Sequence, residues 1–227
     1  MKKFVLMFLC GTMIFSGCGM SNTGKGSLIG SGAGAALGAG IGYLIGKDGK
    51  GAAIGAAIGT AVGGGTGAII GNKMDKKAEE LAALENAQVE TVTDVNGLKA
   101  IKVTFDSGIL FDFNKSALKP EARTQLTKFA TEMNDMKETN ITVYGHTDNK
   151  GDASVNKKIS TQRAETVAKF LQNKGIAAER ITAEGLSYDF PVADNSTAEG
   201  RAQNRRVEIY ISANEEMIKE AEAGTLK

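Results

Sequence analysis

The chain has 227 residues, 27 basic and 26 acidic, with one histidine, no tryptophan and two cysteines, Cys10 and Cys18. Near-neutral charge without aromatic–basic interleaving excludes the basic field that nucleic-acid binding requires. A single histidine, His146, with no thiolate to join it makes a zinc site untenable.

Residues 1–17 read as a secretory signal. Lys2 and Lys3 precede an apolar run from Phe4 to Phe15, too short for a comfortable membrane span, and small residues follow. The closing "FSGC" resembles a bacterial lipobox, in which the cysteine becomes the first mature residue and carries the lipid. Cys10 leaves with the signal, so Cys18 remains alone and no internal disulfide can form. Lipidation of Cys18 accounts for that odd exported thiol. Without Lys2 and Lys3 the mature chain has 25 basic residues (27 less two) against 26 acidic. Gly19, rather than the aspartate associated with inner-membrane retention in enteric bacteria, favours the outer membrane.

After a short linker over residues 18–26, residues 27–72 form a glycine series. Gly30, Gly34, Gly38, Gly42 and Gly46 are followed by Gly51, Gly55, Gly59, Gly63, Gly67 and Gly71, with "KDGK" between the two runs. A step of four marks one face of a helix. Glycine costs about 1 kcal/mol per residue against alanine in a helix, so water alone would not hold these helices. In lipid, unpaired peptide groups force the helix, and glycine lets two backbones approach closely. The expectation is a glycine-zipper helical hairpin that inserts in membrane or self-associates as a homo-oligomer. The segment resembles the glycine-zipper segments of bacterial outer-membrane lipoproteins.

Residues 73–97 read as a connector helix, with Leu81 and Leu84 as its apolar face, leading into a strand. "VETVTDV" and "LKAIKVTF" alternate around Asn96-Gly97, a hairpin signal. Pro120 suits a helix start, and Ala122, Leu126, Phe129, Met133 and Met136 follow at helical spacing. "ITVYG" reads as a strand, Val155 to Lys174 as a helix closed by Gly175, and "RITAEG" as a short strand. "RRVEIYI" alternates, with Val207, Ile209 and Ile211 on one face. Strands and helices alternating at these lengths predict an α/β fold, a two-layer α+β sandwich with a mixed sheet over residues 98–213. Residues 214–227 form a C-terminal tail.

One residue is out of place in this pattern. Val155, Ile159, Val167, Phe170 and Leu171 share a broad apolar helix face, and Arg163 points into its middle. A guanidinium is rarely buried without a partner. Asp148 lies fifteen residues earlier, where "ITVY" runs into "GHTDNKGD". The simplest geometry brings Asp148 and Arg163 together, either as a structural ion pair or as a bipolar clamp. The clamp would match an ammonium and a carboxylate on one ligand, since arginine grips carboxylates through two parallel hydrogen bonds.

"ILFDFNKSALKPEA", "GHTDNKGDASVNKKISTQRAETVAKFLQNKGI" and "TAEGRAQNRRVEI" resemble the successive blocks of the OmpA-like peptidoglycan-binding domain. The resemblance spans about Ile101 to Ile211. It implies non-covalent binding of peptidoglycan through the meso-diaminopimelate of the stem peptide. The family's binding aspartate falls on Asp148 and its binding arginine on Arg163, at the family's spacing. Asn156 and Ser160 also match, while Ile159 replaces the commoner leucine. By this resemblance Arg163 pairs with the ligand's free side-chain carboxylate and Asp148 with its ammonium. Thr147 and the Phe111–Asn114 loop, including Asp112, line the pocket. The "NRR" block contributes Asn204 and Arg205 as supporting residues.

The expected protein is a lipid-anchored outer-membrane protein whose periplasmic domain tethers the membrane to the wall. No cofactor or metal is expected. A second hypothesis makes the zipper an oligomeric membrane assembly merely anchored at the wall. A third, a wall hydrolase using Asp148 and Asp152, is weak because both carboxylates flank one loop. His146 is expected to satisfy loop hydrogen bonds, and the chain to be non-enzymatic.

Overall fold

The computed structural model describes residues 64–226 except positions 95 and 113. The signal, Cys18 and the glycines before position 64 lie outside the described residues, as does Phe113.

Helix α1 (Gly64–Leu81) runs straight through position 72, where the sequence suggested a boundary between zipper and connector. The reason is an apolar stripe that crosses it. Ile70, Met74 and Leu81 are fully buried in the domain core. Lys77 adds a 2.8 Å contact to Glu132, and Lys73 pairs with Glu138. The last glycines of the series therefore belong to a helix that packs on the domain. Among the described residues no helix is long and apolar enough to cross a membrane.

Strands β1 (Ala87–Thr93) and β2 (Lys99–Asp106) form the expected hairpin. Asp94 closes it, accepting from the Asn96 and Leu98 backbone N–H groups at 2.8 and 2.9 Å, and Gly97 supplies the positive φ of 74°. A single turn, α2 (Ser107–Leu110), follows, then α3 (Pro120–Asn134) with proline in its first turn as expected. The rest runs β3 (Thr139–Gly145), α4 (Ala153–Asn173), β4 (Ile181–Gly185), α5 (Ala198–Asn204), β5 (Arg206–Ala213) and α6 (Glu215–Glu222).

The sheet order is β1-β2-β5-β3-β4, with β3 and β4 parallel and the other neighbours antiparallel. The sheet is mixed and the fold is the two-layer α/β sandwich. On the helix side Ile101, Val103, Phe105, Ile141, Val143, Val207, Ile209 and Ile211 meet α1, α3, α4 and α6 in one core.

Two expectations need correction. The buried face of α4 consists of Asn156, Ser160, Arg163, Ala164, Val167, Ala168 and Leu171. Val155 is exposed, and Ile159 and Phe170 are half-buried. The face is rotated because α4 presses its backbone onto the sheet, so small residues win over large ones. A Cβ on Gly145 would strike the Ser160 carbonyl, and one on Gly185 the Thr161 backbone N–H.

The second correction concerns His146, because β5 is buried on both faces and the ring lies with its rear residues. Behind the sheet Arg206, Glu208 and Tyr210 form a closed network. Arg206 Nε donates to Glu208 Oε1 at 2.7 Å and Tyr210 Oη to Glu208 Oε2 at 2.8 Å. His146 joins this network instead of a loop. Its backbone N–H continues the ladder to Arg206 O at 2.9 Å, which sends the ring behind the sheet. There Nε2 lies 3.5 Å from Glu208 Oε2, at the outer limit of a hydrogen bond, and neither ring nitrogen makes a well-formed one. Desolvation holds His146 below its ordinary range despite Glu208. Burial pushes Glu208 up, but His146 and Arg206 outweigh it, and the carboxyl sits well below the usual range.

Candidate functional site

The site forms where β3 ends and α4 begins. After Gly145 the Thr147 N–H donates to Ser187 O at 2.8 Å, so the chain stays pinned to the segment after β4 until Asp148 turns away. One Asp148 oxygen accepts from the Lys150 N–H at 2.9 Å, a local turn that aims the other outward. Asn156, one turn into α4, fixes the same loop by donating to Lys150 O at 2.9 Å. Asp152 caps α4 through the Ser154 N–H at 2.7 Å. Ser160 Oγ accepts from the Ser187 N–H at 3.1 Å and locks the far side.

Arg163 lies two turns beyond Asn156 on the same face, and only 7% of it is exposed. Its Nε donates to Lys115 O at 3.1 Å, and its guanidinium lies over the Phe111 ring, 5.1 Å from the centroid. Its terminal nitrogens, Nη1 and Nη2, have no hydrogen-bond partner among the described residues. Burial, then the nearby Arg205 charge, lowers its pKa from the ordinary value.

Asp148 and Arg163 are not ion-paired. The partner of Asp148 is Arg205, whose Nη1 donates to Asp148 Oδ2 at 2.6 Å. This removes the structural ion pair between Asp148 and Arg163 as an explanation of Arg163. Two separate half-sites remain: a carboxylate already bridged to one arginine, and a second arginine without a carboxylate. Asp148 and Arg163 are buried, while Arg205 is half-exposed.

The other expected residues divide. Phe111 is buried beneath Arg163, and Thr147 is buried with a hydroxyl that has no partner. Asp112 reaches outward to Lys115 at 3.2 Å and Lys119 at 3.8 Å. Asn204 spends its side-chain amide on hydrogen bonds within the protein. Its amide accepts from Val192 and Ala193 N–H and donates to Ala193 O and Asn195 Oδ1, all within 3.0 Å. It shapes the loop whose Asn195 in turn receives the Asn149 N–H at 3.3 Å. Sequence reasoning did not assign the Lys115 carbonyl, because a main-chain acceptor has no residue signature. Asn114, with φ of 56°, was the available hint that the chain turns sharply there. Among the described residues no group of three or more His, Cys, Asp or Glu side chains is placed to hold a metal ion.

A two-layer α/β sandwich with opposite charges gathered at one strand–helix corner is the class these features define. Residues 110–205 match the OmpA family, and residues 1–75 match the YMGG-like Gly-zipper. Outer membrane protein A of Bordetella avium is 46% identical over 112 residues, 49% of this chain and 58% of its own length. The outer-membrane lipoprotein YfiB of Pseudomonas aeruginosa is 42% identical over 107 residues, 47% of this chain and 64% of its own. The chain thus spans less than two thirds of the length of these curated relatives. The solved cell wall anchor of the T6SS from Pseudomonas aeruginosa is 32% identical, with a TM-score of 0.53, covering 62% of this chain and 97% of that one. The OmpA match thus falls on residues 110–205, with a glycine-zipper match before it.

Proposed function

We propose that this chain is an outer-membrane lipoprotein that binds peptidoglycan non-covalently and tethers the membrane to the wall. The ligand is the meso-diaminopimelate end of the stem peptide, whose ammonium meets Asp148 and whose carboxylate meets Arg163. The carrying observation is Arg163 itself: a buried guanidinium with two free terminal nitrogens and no protein carboxylate. Two parallel hydrogen bonds to a ligand carboxylate would use both. Thr147 and Phe111 line the site, while Asn156 and Asn204 hold its loops in place.

In this reading residues 1–17 are the signal, Cys18 carries the lipid, and the zipper before α1 lies in or against the membrane. Residues 98–213 work in the periplasm as a binding module without catalysis. The outer-membrane and lipoprotein names of the relatives, and the wall-anchor name of the solved structure, support this reading.

Retention of the full chain on purified sacculi tests it. Diaminopimelate-type wall should hold the protein, and lysine-type wall, which keeps the ammonium but lacks the carboxylate, should not. Equal retention on both would refute the zwitterion clamp.

A further inference from the structure

We infer that Arg205 sets the selectivity of this site: bridged to Asp148 in the empty protein, it makes binding conditional on a ligand that brings a carboxylate together with its ammonium. This rests on the reading in which Asp148 and Arg163 receive a zwitterion.

The geometry places three charges at this corner. Asp148 is bridged to Arg205 at 2.6 Å, and Arg163 is buried without a counter-charge. Arg205 acts on both, since its positive charge also depresses Arg163. Its backbone is fixed, with the N–H bonded to Arg201 O at 3.1 Å and the carbonyl accepting from the Ser107 N–H at 2.8 Å. Its side chain is 41% exposed, against 12% for Asp148. The guanidinium can therefore swing while its root stays in place.

Charge counting gives the consequence. A lysine-type end adds one cation, leaving three cations against one carboxylate, whether the ammonium displaces Arg205 or shares Asp148 with it. A diaminopimelate end adds one charge of each sign, leaving three cations against two carboxylates. The incoming carboxylate also gives a displaced Arg205 a new partner beside Arg163. Without Arg205 a bound lysine-type end leaves only two cations, one of them its own, against one carboxylate. Arg205 thus repels the wrong ligand more than it hinders the right one, and selectivity is that difference.

Two soluble peptides test this on the full chain in detergent: L-Ala-γ-D-Glu-meso-diaminopimelate and L-Ala-γ-D-Glu-L-Lys, titrated calorimetrically. In Arg205→Gln the lysine peptide should bind more tightly than to wild type, and the ratio of the two affinities should narrow by about tenfold. Arg205→Lys keeps the charge and should keep a ratio close to that of wild type. Thermal melting of both variants confirms that each is folded. If Arg205→Gln binds the diaminopimelate peptide with an unchanged ratio, or loses both peptides equally, Arg205 only supports the site and the inference fails. If wild type binds neither peptide, the zwitterion reading itself fails, a result separable from the first.

Discussion

Arg206 behind the sheet and Arg163 at the β3–α4 corner are both almost fully buried, yet their surroundings are opposite. Arg206 donates to Glu208 at 2.7 Å, to Asn204 O at 3.3 Å and to Phe190 O at 3.1 Å, so all three of its nitrogens are used. Arg180 is treated the same way, with Nε, Nη1 and Nη2 bonded to Thr139, Met133 and Met136 carbonyls. Arg163 has one carbonyl and one aromatic ring. Burying an ion costs several kcal/mol unless neighbours offset it. The first two arginines recover that cost inside the fold. Arg163 does not, and a cation held ready at this corner is what a carboxylate-binding site needs.

The contrast can be broken from the structural side first. Glu208→Leu leaves Arg206 buried without its carboxylate and should destabilise the protein by about 3–5 kcal/mol in chemical denaturation. Gly145→Ala forces α4 off β3, where Ser160 allows no Cβ. About 1–3 kcal/mol should be lost, and wall binding should weaken as Arg163 shifts from Phe111.

A smaller effect should follow pH. Burial holds the pKa of His146 below the ordinary 6.5, so the folded ring is uncharged at neutral pH, facing Glu208 and Arg206 on β5 and Lys102 on β2. Its contribution is complete above about pH 6.5 and lost as pH falls through the window below it. Glu208 adds a lower limb, present above about pH 4.3 and lost as pH falls further. His146→Gln should flatten the upper limb of a stability–pH curve and shrink the lower one only in part, since Arg206 still holds Glu208 down. An unchanged upper limb would show that His146 does not titrate with unfolding.

Much of this was legible in the sequence. Alternation, Pro120, the Asn96-Gly97 turn and Gly175 gave the elements and their ends, because each rests on local backbone preference. Arg163 stood out because a charge interrupts an apolar period. The rear network was hidden, since alternation in β5 suggests a solvated second face and nothing local reveals what covers it. The Asp148–Arg205 bridge was hidden too, as it joins residues 57 apart across strand ends. The extent of α1 was masked by glycines that favour no helix in water, while Ile70 and Met74 dock it through tertiary contacts.

The most direct measurement is made on Arg163→Met, which keeps an unbranched stem over Phe111. Denaturation should show a change of about 1 kcal/mol, since no ion pair is lost and only one hydrogen bond, to a main-chain carbonyl, is removed. Retention on diaminopimelate-type sacculi should fall by about 2–5 kcal/mol, roughly 30-fold to several-thousand-fold in affinity. A loss of stability as large as that of Glu208→Leu, or retention at wild-type strength in a folded variant, would make Arg163 a structural residue and contradict the reading.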